Sequence, residues 1–175
     1  MSHNIKLWRR IFLISLGLFA GTAFCMKWME GDLIQNGEKF TVIGLEISYT
    51  KENIMTIFAG LDEHVKRILR YHLSFDFVFM AGVFPGIASL CMLARIKMTG
   101  SIIRKILLVV AMLQIVAWGC DIYENYCLLK WINDPNIGNE FIFYHIIVFT
   151  KWIIALAGVI LAIPLGIKKI ILRTG

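Results

Sequence analysis

No CxxC pair occurs in this chain, no GxSxG or SxxK, no glycine-rich phosphate loop and no run of five like charges. Each absence removes a class of function. Without two neighbouring thiols there is no membrane disulfide-exchange chemistry. Covalent catalysis has no support either, because Ser74 and Ser89 have no histidine at a partnering position. The missing phosphate loops and cofactor fingerprints imply no cofactor. No basic patch interleaved with aromatics is present, so nucleic acid is not an expected partner. Acid is also missing from three short stretches. All twelve Asp and Glu residues lie outside 1–10 (Lys6, Arg9, Arg10), 94–105 (Arg95, Lys97, Arg104, Lys105) and 166–175 (Lys168, Lys169, Arg173).

Between those basic stretches the chain is apolar. It is 58% hydrophobic with a mean hydropathy of +0.72, above the roughly 45–50% of a soluble domain. Four spans of about 20 residues nearly exhaust 175 residues, so one membrane domain is expected. The pattern predicts an all-α, integral membrane four-helix bundle with spans at about 8–28, 71–93, 102–129 and 141–167. Lys and Arg collect in cytoplasmic loops. Both termini and the 95–105 turn are therefore predicted to be cytoplasmic, in a bacterial inner membrane. The net charge of +6 comes from these flanks and suits an anionic leaflet. Residues 6–23 also resemble a cleavable signal peptide. Apolar character continues to Trp28, however, which predicts an uncleaved first span. Phe24 is too large for a lipid-attachment box before Cys25. The scattered Cys25, Cys91, Cys120 and Cys127 read as apolar thiols, with a Cys25 disulfide to Cys120 or Cys127 as the alternative.

Local signals place the turns. Trp28, Tyr71, Tyr123, Tyr126, Trp131 and Tyr144 cluster at the outer ends of the spans, where amphipathic rings anchor. Gly100 marks the inner turn, and Asp134, Pro135, Asn136 and Gly138 mark the outer one. Pro85 is expected to kink the second span. Residues 29–70 form the one sizeable outer segment. Its 40–47 stretch alternates loosely and predicts a short extended piece. From Lys51 the apolar residues fall at helical spacing, which predicts an amphipathic segment over 51–70. Gly60 and Asp62 there signal a break and a new N-cap leading into the second span. Gly17 and Gly21 form a GxxxG on the first span, a motif for close helix packing or dimerisation.

Polar residues within the spans carry the functional signal, since an ionisable group there costs roughly 2.5–3.5 kcal/mol on insertion scales. His72 and Asp76 lie one turn apart on span two. Gln114, Asp121, Glu124 and Asn125 lie on span three, and His145 and Lys151 on span four. At about 1.5 Å per residue, Asp76 lies roughly 7 Å below Tyr71 and Lys151 roughly 15 Å below Phe141. All of them converge on the outer half. Spacing i, i+3, i+4 puts Asp121, Glu124 and Asn125 on one face. Lys151 is expected to pair with Glu124 or Asp121, with Asn125 completing the hydrogen bonds. Three carboxylates against one ammonium leave two negative charges over. Three readings stay open: a pair that only orients helices, a ligand or proton site, and a metal site from His72, Asp76, Glu124 and His145. No tight HxxxH or ExxH pair marks the last.

The order of these elements resembles that of a group of small bacterial four-span membrane proteins. The likeness rests on Leu73–Phe79 of span two, on Asp121, Ile122, Tyr123, Glu124 and Asn125 of span three, and on Lys151 with Trp152. It implies that Asp76, Asp121, Glu124, Asn125 and Lys151 belong together, and it brings no activity with it. The leading functional expectation is binding or translocation of a small polar ligand, cation or proton. The alternatives are a non-catalytic accessory, protective or partner-subunit protein recognised through 29–70, and a metal-assisted enzyme on a lipid-like substrate. The bilayer is the expected partner, and a second copy or a membrane partner subunit stays open. Orientation is testable. With the four native cysteines replaced by serine, Gly100→Cys should react with an impermeant maleimide only in inverted vesicles. Labelling of intact cells would reverse the topology.

Overall fold

The computed structural model describes residues 3–171, with the side chains of 4–165. The expected basic residue Arg173 lies outside the described residues, and of Lys168 and Lys169 only the helical backbone is described. The fold is all-α. Its helices are α1 (His3–Met29), α2 (Lys51–Ala59), α3 (Glu63–Lys97), α4 (Ser101–Asn133) and α5 (Glu140–Ile171). Four of these are long and apolar enough to cross a membrane, at Asn4–Asp32, Glu63–Lys97, Ser101–Asn133 and Glu140–Leu165. Between α1 and α2 lie a short 3-10 turn (Glu30–Asp32), the strands β1 (Ile34–Gln35) and β2 (Glu38–Lys39), and a π-helical turn (Gly44–Ser48). This linker sits over one end of the helices, called here the capped end. The α3–α4 turn marks the opposite, turn end.

The second membrane-length helix begins earlier than position 71. Thr50 caps α2, its hydroxyl accepting from Asn53 N at 3.3 Å, and Gly60 ends it. Asp62 then caps α3 by accepting from Val65 N at 2.8 Å. Nothing in 63–70 breaks a helix, and Val65 and Leu69 bury while Lys66 stays at the surface side. The helix therefore runs unbroken from its cap for 35 residues. Arg95 and Lys97 in its last turn complement the helix dipole. Pro85 sits inside it without ending it, as spans tolerate when neighbouring groups satisfy the freed carbonyl.

The extended piece expected at 40–47 is a misplacement. The hairpin is β1–β2, with Ile34 opposite Lys39 and Gln35 opposite Glu38. Its turn is Asn36 and Gly37, at φ 52° and 85°, the positive pair that a tight type I′ turn needs. Residues 44–48 instead coil, because Phe40, Val42 and Leu45 are drawn into the core. A loose alternation with no partner strand does not hold an extended conformation. That core is the largest apolar cluster. It joins Leu33, Leu45, Ile54 and Phe58 of the linker and α2 to Leu69, Trp131 and Tyr144 of the long helices.

Helix α3 is central: it packs against α1, α4 and α5, and α4 also packs on α5. The close α1–α3 approach occurs at Gly82, where an added Cβ would lie 2.6 Å from Phe19 N and 2.9 Å from Ser15 O. The GxxxG of α1 is not used there. A Cβ on Gly17 or Gly21 would meet nothing within 4 Å. The contact instead presents Ser15 and Phe19 backbone, one helical turn apart, to the missing side chain of α3. All four cysteines are free thiols, with Cys91 and Cys127 buried. Gly82→Ala should lower stability by about 1–3 kcal/mol through overpacking, read as an earlier thermal unfolding in detergent. Gly17→Ala should leave the midpoint unmoved. Equal effects at the two positions would refute this packing.

Candidate functional site

Lys151 is reached from three directions. It sits near the middle of α5, and only 6% of it is exposed. Its Nζ lies 2.6 Å from Glu124 Oε2, 2.9 Å from Asp121 Oδ1 and 3.2 Å from Glu46 Oε2. An ammonium has three N–H donors and no acceptor, so each donor has one carboxylate to face. Asp121 and Glu124 come from the same face of α4, one turn apart. Glu46 comes from the π-helical turn of the linker. Its Oε2 also accepts from Trp152 Nε1 at 3.2 Å, and the Trp152 ring centroid lies 5.5 Å from Nζ. The linker is thus tied to α5 at two neighbouring residues. Tyr144 adds a third tie, its hydroxyl donating to Leu45 O at 3.2 Å.

A second polar pair lies beside the first. Asn125 Nδ2 donates to Asp76 Oδ2 at 2.6 Å, joining α4 to α3. Asn125 therefore completes Asp76 and not Lys151, a different partner from the one the spacing suggested. Deeper still, Gln114 Nε2 donates to Val110 O and to Ile154 O, at 3.2 Å each, linking α4 to α5. Four carboxylates, Glu46, Asp76, Asp121 and Glu124, share this region with one ammonium. Burial of an ion pair costs several kcal/mol per charge unless hydrogen bonds restore it. Glu124 is fully buried, and its Oε1 has no partner among the described residues.

The two histidines part company. His72 is 2% exposed, and neither ring nitrogen has a hydrogen-bond partner among the described residues. It stands one turn from Asp76 on the wall of a cavity of about 700 Å3 between α1, α3 and α5. Asp76, Asp121, Lys151 and Glu46 reach the same cavity. His145 is elsewhere: its ring packs edge-on to Phe141 at 4.8 Å and stacks on Phe149 at 5.8 Å. The metal set of His72, Asp76, Glu124 and His145 is therefore not assembled. Among the described residues no three His, Cys, Asp or Glu side chains form a metal-binding group.

Glu46 is the site residue that sequence reasoning missed. A signal for it exists: it is the one acid in the apolar run Ile43, Gly44, Leu45, Ile47. Its position in a connecting segment hid it, because depth arguments treat only the spans.

Removing the ammonium tests the arrangement. Lys151→Met leaves three carboxylates buried together and should cost about 3–5 kcal/mol, visible as a lower unfolding midpoint. Adding Glu124→Gln should recover part of that loss. A Lys151→Met midpoint equal to that of the native chain would show that the cluster does not hold the fold.

No family model, curated protein or solved structure matches this chain, so the reading of the site rests on its own geometry.

Proposed function

We propose that this multi-pass membrane protein binds a small, positively charged polar ligand at a site in the outer half of its membrane domain. The observation that carries this reading is the charge imbalance on a cavity wall. Glu46, Asp76 and Asp121 line the cavity with Lys151, while Glu124 stands behind Lys151; the other lysine of the lining, Lys27, is matched by Glu30 at 2.7 Å. One ammonium offsets one carboxylate, and the remainder favours a cation or a protonated group.

Binding fits better than passage through the protein. Every buried carboxylate, histidine and lysine among the described residues lies in the capped half: His72, Asp76, Asp121, Glu124 and Lys151. Toward the turn end the helices meet through Cys91, Ala94, Leu107, Val110, Ala111 and Ala162. A cation crossing that layer would lose its hydration with no group to replace it. The linker speaks against pure partner recognition. Its apolar side chains Leu33, Leu45, Ile54 and Phe58 face inward, and Glu46 is engaged by Lys151.

A ligand that binds only the folded state raises its stability by mass action. Ethylammonium should therefore raise the thermal midpoint of the purified protein in a saturable way, and sodium acetate at equal ionic strength should not. Asp76→Asn should weaken the ethylammonium effect roughly tenfold, a loss of about 1.4 kcal/mol. The reading fails if ethylammonium has no saturable effect, or if Asp76→Asn and Asp121→Asn respond as the native chain does.

A further inference from the structure

The cavity is much larger than the polar group that its acidic end would hold. Along α3 its wall runs from His72 to Leu90, eighteen residues or about 27 Å of helix. That is close to the whole hydrocarbon thickness of about 30 Å, and well beyond one leaflet at about 15 Å. A cavity of about 700 Å3 drawn out over that length has room for at least one hydrocarbon chain.

Its chemistry is graded along the same axis. The polar lining is gathered at the capped end, where His72, its ring nitrogens unpartnered among the described residues, stands one turn from Asp76. Toward the turn end the walls are apolar, with Phe12 on α1, Leu90 on α3 and Ile163 on α5. The groove lies between α1 and α5. Helix α1 is held to α3 at Gly82 and α5 to α3 and α4, so the cleft between them faces the surrounding lipid.

We infer that the occupant is a lipid with a protonated amine head: the head lies at His72, Asp76 and Asp121, and a hydrocarbon chain runs down the groove past the midplane. This deepens the cation-binding reading and rests on it. Charge complementarity selects the amine, because a fatty acid or phosphate head would add a negative charge to four carboxylates. The chain adds specificity in place. Hydrocarbon gains little on leaving lipid for an apolar groove, so the acidic end supplies the preference and the groove supplies the length.

The test uses the full chain in phosphatidylcholine nanodiscs and octadecylamine carrying a diazirine at its chain end. Photolabelling is expected at Phe12, Leu90 or Ile163 and not at the outward-facing Ile153. The same chain with a carboxylate head should label those positions roughly tenfold less. Ala155→Phe narrows the groove from α5 and Leu16→Trp narrows it from α1. Either should suppress the labelling while Ile153→Phe leaves it unchanged. Two blocking variants from different helices guard against one that misfolds, and thermal unfolding checks both. Saturable stabilisation by ethylammonium without groove labelling would overturn this inference and leave the cation site standing. Equal groove labelling by both head groups, unaffected by Asp76→Asn, would overturn the head-group assignment and the cation site with it. Labelling spread over Ile153 and its lipid-facing neighbours would mark an adventitious bilayer probe and overturn the groove.

Discussion

One ammonium held by three carboxylates from two different parts of the chain organises this molecule. Lys151 of α5 faces Asp121 and Glu124 of α4 and Glu46 of the linker. Hydrocarbon-facing helices gain no hydrophobic drive from meeting one another, so packing and polar contacts must set their register. A buried lysine without these partners would be costly at that depth. Its partners, equally, would be three carboxylates in one another's field. Neither half is tolerable alone, and together they fix how α4, α5 and the linker meet.

The polar groups are then distributed by depth. At the capped end, Asp76 with Asn125 ties α3 to α4, and Gln114 ties α4 to α5 one layer further in. Beyond Gln114 the contacts are made by small and aliphatic side chains. The result is one half with buried charges and one without, and the groove beside α1 runs along both. The linker belongs to the first. Its hairpin, π-helical turn and α2 supply apolar residues to the core that Trp131 and Tyr144 share, so the cap is part of the packed structure and its Glu46 is a member of the site.

Helix α1 stands apart from this network. It has no ionic tie to the other spans among the described residues, and its close contact depends on a glycine of α3 that admits its backbone at Ser15 and Phe19. That placement leaves a cleft on the α5 side. The same helix that completes the fold therefore defines one wall of the cavity, and His72, whose ring nitrogens have no partner among the described residues, lines it. Charge surplus and missing hydrogen bonds coincide at the capped end of that cavity.

Much of the fold was legible in the sequence. Hydropathy alone reveals four membrane-length helices, because a span must satisfy its own backbone and is apolar along its whole length. Caps and helical spacing reveal α2 and the start of α3 at Asp62. The hairpin at Asn36–Gly37 is not read from the sequence, where the loose alternation at 40–47 places the extended piece instead. The face shared by Asp121, Glu124 and Asn125 follows from 3.6 residues per turn. Tertiary structure alone decided who meets whom. Helical periodicity gives a direction around one axis and not the rotation of the next helix, so it could not separate His72, on the cavity wall, from His145, among phenylalanines. It also could not bring Glu46 across 105 residues of chain to Lys151, nor choose Gly82 over Gly17 and Gly21 for the helix contact. Those outcomes depend on the relative placement of whole elements, which local residue pattern does not encode.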